Sequence, residues 1–354
     1  MIGAAVAIPV ACVTVPLPMS DRLFPPVPPP PVAHSSRARA TLWLVGATVF
    51  WGLSFPLAKA LTVAQHALLP GADSWFLAAV TLSVRFGLAA GVLALGSLRT
   101  WRTMTGGEWS QGLGLGVFAS GGLLLQIDGL GYTAASTSSF LTSIYCVIIP
   151  VFVACQRRRW PPLAVMGSCA VVLVGMAILV GVDWRTMRLG RGEWETVGAS
   201  VFFAAQIFWL ERPAFARNRT SHATVIMFGT IAVVMLPVLA ARCRALSEVV
   251  VAAMGSGPII GLLLGLTLFC TLATFTVMNH WQRFLEATEA GLIYCVEPVS
   301  ASLCALFLPA WLGAWAGVSY PNETFTWRLL VGGTLITLAN VFIQLKPKAV
   351  TPVA

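Results

Sequence analysis

Long apolar runs separated by short polar loops occupy most of the chain. They fall at 41–61, 74–97, 110–128, 136–155, 161–181, 196–211, 223–241, 257–278, 288–308 and 327–345. Each is close to the ~20 residues an α-helix needs to cross a hydrocarbon core of roughly 30 Å. The loops leave no room for a sizeable soluble domain. The pattern predicts an all-α membrane protein with ten transmembrane helices.

Residues 1–39 break the pattern. Met1 to Pro18 is apolar but lacks a basic start and is interrupted by Pro9 and Pro16. A proline-dense stretch, Pro25 to Pro31, follows. Proline denies a helix its backbone donors. A disordered cytosolic tail is therefore expected, and a signal peptide fits poorly. Met19 is an alternative start. Residues 347–354 read as a short cytosolic tail.

Composition strengthens the membrane reading. Hydrophobic residues make up 57% of the 354 positions and charged residues 10%, against about 25% charged in soluble domains. The net charge of +9 does not imply nucleic acid, because the basic residues sit in loops and form no basic aromatic face. Their distribution instead sets an orientation. With the N-terminus inside, 14 lysines and arginines fall on the cytosolic side and 6 outside, which favours both termini in the cytosol. Asp183 to Arg191 and Trp311 to Asn322 are then outside, and the plasma (inner) membrane is the expected location. The run Arg157-Arg158-Arg159 reads as a topology anchor. The eight cysteines form no C-x-x-C pair, lie mostly in apolar runs, and read as packing residues, giving neither a disulfide framework nor a metal site.

A faint repeat relates spans three to five to spans eight to ten. Ile144-Tyr145-Cys146-Val147 followed by Pro150 echoes Ile293-Tyr294-Cys295-Val296 followed by Pro298. Gly112, Gly116 and Ser120 in the third run echo Gly257, Gly261 and Gly265 in the eighth, a small-residue spacing that lets membrane helices approach closely. A five-span unit crosses an odd number of times, so the second copy, 193–346, is inverted relative to the first, 40–182. Two inverted five-helix repeats are the plan of many alternating-access transporters, with solute held between the repeats.

These segments resemble the drug/metabolite transporter superfamily, in particular its EamA-type members. Phe50-Trp51-Gly52-Leu53-Ser54-Phe55 with Lys59 is similar to that family's opening helix. Gly131-Tyr132-Thr133-Ala134-Ala135 is similar to its third corner, Phe140 to Pro150 to its fourth helix, and Ala290 to Val299 to its ninth. The resemblance spans about residues 40 to 346. It implies a ten-helix bundle around a central cavity and movement of a small metabolite, often amino-acid-like and often outward. The glutamate of the family's "G-E" pairs is missing, since Gln156-Arg157 and Leu308 to Gly313 stand in those places. The segment Trp311 to Asn322 is longer than the resemblance implies, so the ninth-to-tenth corner is expected to be built differently.

Ionisable groups inside apolar runs cost on the order of 2.5–3.5 kcal/mol, so each invites an explanation. Lys59 near the end of span one and Arg85 in span two either snorkel to the interface or line a pathway. Glu289 opens span nine, where a carboxylate also suits a helix N-terminus. Glu297 lies about ten residues into that span, roughly 15 Å deep, and is the best candidate for a solute or proton site. Pro150 and Pro298 are expected to free the carbonyls of Cys146 and Tyr294 beside it. Trp51, Tyr145 and Tyr294 are candidate aromatic walls, against a reading as lipid or core packing.

The expected partners are a small solute, protons as a coupling option, membrane lipids and, compatibly, a second copy in a homodimer. No cofactor is implied. A membrane enzyme is disfavoured by the absence of an H-E-x-x-H or an aspartate cluster, and an ATP-driven pump by the lack of a glycine-lysine phosphate loop. A membrane binding or assembly subunit of the same fold is the remaining alternative.

Overall fold

The computed structural model describes residues 34–156, 158, 160, 163–180, 189–285, 290–291, 293–294 and 296–345. Among these there are helices and turns and no strands. The helices are α1 His34–Leu68, α2 Ser74–Ser97, α3 Gly106–Tyr132, α4 Ala135–Thr142, α5 Tyr145–Gln156, α6 Leu163–Val180, α7 Arg191–Leu210, α8 Thr220–Arg242, α9 Leu246–Met254, α10 Gly257–Thr267, α11 Thr274–Trp281, α12 Val296–Ala316 and α13 Trp327–Leu345. Seven helical stretches in the described residues are long and apolar enough to cross a membrane: Arg37–Leu68, Ser74–Ser97, Gly106–Tyr132, Ala135–Cys155, Thr220–Arg242, Gly257–Phe284 and Val296–Ala316. The runs in α6 and α13 are shorter, and α7 carries Glu193 and Glu195 in its first turns.

Small residues decide which helices touch. α3 lies along both α7 and α8, α2 along α8, α1 along α12, and α6 along α13. A Cβ added at Gly112 would stand 2.5 Å from Ile226, and one at Gly116 equally close to Thr230. The expected close approach of the third span is therefore real and is made to α8. The matching stripe in the eighth run is not one. Gly261 faces Trp315, but nothing lies within 4 Å of a Cβ at Gly257 or Gly265.

Among the described residues, three passages depart from a continuous α-helix. The fourth breaks at Ser143-Ile144, where Ser143 and Ile144 donate to the carbonyls three residues back, at 3.1 Å each. The eighth widens into a π-turn, Leu268–Ala273, between α10 and α11. The ninth turns at Tyr294, and α12 starts only at Val296. This corrects two expectations. Pro298 sits in the first turn of α12, where its missing donor has no helical partner in any case, and the Tyr294 carbonyl accepts the Glu297 N–H at 3.0 Å. Glu297 is thus on the opening turn of a helix, not ten residues inside a continuous one.

The long ninth-to-tenth corner folds back along α12. Gly317, at φ +68°, ends that helix in a left-handed conformation, with Val318 N–H on the Gly313 carbonyl at 2.9 Å and Gly317 N–H on that of Ala314 at 3.3 Å. This is the paired bonding of a glycine C-terminal stop. Pro309, inside α12, cannot donate to the Ala305 carbonyl, and Glu323 N–H takes that acceptor at 3.0 Å. Asn322 Oδ1 accepts from Ala310 N–H at 2.8 Å. The strap 317–326 is therefore bonded to the helix it leaves. Tyr320 is buried beneath it, and burial, with the Glu323 charge nearby, raises its phenol above the ordinary range.

Candidate functional site

A cavity of about 80 Å³ lies in the middle of the bundle, larger than one ordered water requires. Its walls come from both parts of the chain. α1 supplies Trp51 and Ser54, α2 Arg85, α3 Gln126, and the break between α4 and α5 places Thr142 and Tyr145. From the other side come Gln206 of α7, Phe275, Gln282, Tyr294 and Glu297. The close fit at Gly52 sets this geometry. A Cβ there would be 2.6 Å from Ala301 N and from Ser300 Cβ, so only glycine lets α12 come this near α1. Trp51 then meets Phe275 and Tyr294 edge-on, with centroids 5.3 and 5.4 Å apart.

The cavity's charges are unusual in their partners. Arg85 is 3% exposed, so it does not snorkel. Its Nε donates to Thr271 Oγ1 and its Nη2 to the Cys270 carbonyl at 3.0 Å. Both acceptors lie in the π-turn, a wider turn often found at functional positions. Glu297 is 8% exposed, and among the described residues its carboxylate makes no hydrogen bond or ion pair. The same cavity therefore holds a cation on neutral acceptors and a carboxylate with neither. Tyr294 Oη donates to Gln282 Oε1 at 2.7 Å, and the buried Gln282 Nε2 has no partner among the described residues. Gln126 Nε2 donates to Thr142 Oγ1 at 3.0 Å across the break.

Of the residues singled out from sequence, Trp51, Arg85, Tyr145, Tyr294 and Glu297 converge on this cavity. Lys59 does not. It is half-buried, donates to the Thr133 carbonyl, and lines a separate chamber of about 200 Å³ with His66, Asp128 and Tyr132. Pro150 lies inside α5 and Pro298 at the start of α12. Glu289 lies outside the described residues. Thr142, Gln206, Gln126 and Gln282 also line the cavity and were not among the residues singled out from sequence. Polar residues inside apolar runs were the available signal.

Both ends of α3 are tied to later helices through buried carboxylates. At one end Glu108 and Thr105 cap each other reciprocally, a T-x-x-E pattern visible in the sequence. Glu108 also accepts from Arg219 N–H at 3.1 Å and Nε at 2.9 Å, and pairs with His222 Nδ1 at 3.1 Å. At the other end Arg191 bridges Asp128 and Glu195, and Glu193 accepts from Thr133 Oγ1 at 2.7 Å. Close by, Glu323 caps α4, accepting from Ala135 N–H at 2.8 Å and from Ser136 Oγ.

No protein-family model matches the chain. It is similar, at 23% identity over 312 residues, to an uncharacterized transporter of Archaeoglobus fulgidus, a match covering 88% of this chain and 87% of the relative. A protein of known crystal structure superposes with a TM-score of 0.56 at 17% identity, over 87% of this chain and 97% of the other. That likeness concerns the fold alone.

Proposed function

We propose that this chain is a secondary transporter that carries a small organic solute across a membrane by alternating access between two inverted five-helix repeats, residues 40–182 and 193–346. The observation that carries the reading is the central cavity, walled by both halves and holding the buried Arg85 and a Glu297 that has no partner among the described residues. Charges are kept inside apolar helices where they serve a solute or ion path. The pairing of α2 with α8 and of α6 with α13 supports the repeat, because each helix then packs on its counterpart five crossings later, as a pseudo-two-fold axis requires. The breaks at Ser143-Ile144 and at Tyr294 fall beside the two Ile-Tyr-Cys-Val motifs, and broken helices meeting at the repeat interface are where such proteins bind solute. The similarity to an uncharacterized transporter and the EamA-type motifs point the same way.

The cavity's cation, carboxylate and aromatic walls suit a small amino-acid-like metabolite, with export the expected direction. Arginine bias supports cytosolic termini in the plasma (inner) membrane. The test is flux in reconstituted vesicles. Glu297→Gln should insert at the normal level and lose solute movement or its coupling to protons, while Glu289→Gln retains both. Normal flux with unchanged pH dependence in Glu297→Gln would remove that residue from the path. A protein that binds solute but moves none would instead be a membrane binding or assembly subunit.

A further inference from the structure

The junction between the C-terminal end of α3 and the N-terminal end of α7 is short of hydrogen. Asp128 has a side chain with no exposed surface and Glu195 one that is 13% exposed. Arg191 takes one oxygen from each, its Nη2 on Asp128 Oδ2 and its Nε on Glu195 Oε1 at 2.8 Å. The other two oxygens, Asp128 Oδ1 and Glu195 Oε2, are shut off from water and have no donor among the described residues. The shared guanidinium holds the two carboxyl groups side by side, one oxygen of each on it. Two ionised carboxylates cannot bond to each other, and like charges sharing one site disfavour each other's ionised form. Two carboxylates and one guanidinium carry a net charge of about −1, and a single proton removes both the excess charge and the missing donor.

We propose that Asp128 and Glu195 form a proton-binding site, one proton shared between Oδ1 and Oε2, which holds the α3–α7 junction closed. The proton comes from water and returns to it, so no other bond is made or broken. The surrounding charges leave this position to a proton. Lys59 and His66 of α1 line the neighbouring chamber with Asp128, but the Lys59 ammonium is bound to the Thr133 carbonyl. Glu193, two residues before Glu195, is occupied by Thr133 Oγ1, and Glu323 by the start of α4. Asp73 pairs with Arg242 of α8 at 3.2 Å. Tyr132 Oη donates to Ser74 Oγ at 3.0 Å and accepts from Arg191 Nη1 at 2.8 Å. Asp128 is among the residues lining the 200 Å³ chamber on the α1 side, which places the proton's source within one side chain of the junction. Loss of the proton leaves two facing charges on a single arginine, and the junction between the halves separates. That consequence rests on the transporter reading; the proton itself does not.

The test is infrared difference spectroscopy of the purified full chain in lipid nanodiscs, titrated from acid to alkaline pH in H₂O and D₂O. The expected result is a deuterium-sensitive carboxylic-acid C=O band that disappears on raising the pH. Its intensity falls by one acid group in Asp128→Asn and by the same group in Glu195→Gln, and is kept in Glu297→Gln. Glu195→Gln places an amide N–H where the acid proton stood, so the junction remains bonded and the variant folds. A band that survives both substitutions, or that is absent from the unsubstituted protein at every pH, overturns the proposal. The readout needs no solute. A protein that moves nothing yet titrates this way keeps its proton site and loses the transporter reading, and active flux without the band does the reverse.

Discussion

Trp51 of α1 packs edge-on against Tyr294, their ring centroids 5.4 Å apart and their planes at 68°. The contact joins the first apolar passage to the turn that opens the ninth, and it exists because the next residue, Gly52, has no side chain. Gly52→Ala would place a methyl 2.6 Å from both Ala301 N and Ser300 Cβ. The expected cost is about 1–3 kcal/mol of overpacking, read as a lower thermal unfolding temperature in detergent. Adding Ser300→Ala should not restore it, because the backbone nitrogen is equally close.

Arg85 offers a different kind of test. Removing it leaves no acidic partner behind, and Thr274 Oγ1 still donates to the Cys270 carbonyl at 2.7 Å. Arg85→Met should therefore change stability by less than about 1 kcal/mol, while raising the KM for solute in a flux assay. Arg85→Lys should not rescue the KM, since one ammonium lacks the guanidinium fork that spans Thr271 and Cys270. Unfolding of Arg85→Met would make the residue a structural clamp on the π-turn.

Glu108 is 1% exposed and accepts from Thr105 and Arg219 backbone N–H groups as well as the Arg219 side chain. Glu108→Ala strands those donors, at an expected cost of about 2–3 kcal/mol. Arg219→Ala should cost less, because its side chain is 45% exposed and water can replace part of its role. Thermal unfolding of the two variants side by side gives the ranking, and equal losses would contradict it.

The strap 317–326 hangs on Glu323. Glu323→Ala removes the cap from α4, worth about 1 kcal/mol, and should speed limited proteolysis within the strap severalfold. Pro309→Ala should act in the same direction. It returns to α12 a donor for the Ala305 carbonyl that Glu323 N–H now uses. Unchanged cleavage in both variants would show that Tyr320 burial alone holds the strap.

What the sequence determined by itself was the solvent. Hydrocarbon accepts only helices whose backbone groups are satisfied internally, so run length and the scarcity of charge were enough to predict membrane helices along the chain, and the positions of Trp51, Arg85, Tyr145, Tyr294 and Glu297 within those runs marked them for attention. Local rules also made the Thr105–Glu108 cap readable. Tertiary structure decided which of these residues meet. Whether Lys59 faces the central cavity or a chamber beside it depends on the rotation of α1 against α3, which a nearly uniform apolar pattern does not encode. The breaks at Ser143 and Tyr294 interrupt runs whose apolar pattern is continuous, and Pro298, which suits a helix's first turn as well as a kink within one, does not by itself say that its helix has only just begun. The bridge of Arg191 between Asp128 and Glu195 joins residues 67 positions apart. It exists only because Gly129 and Gly192, whose added Cβ atoms would stand 2.8 and 2.6 Å from each other's carbonyls, let two backbones close to a distance that no other side chain permits.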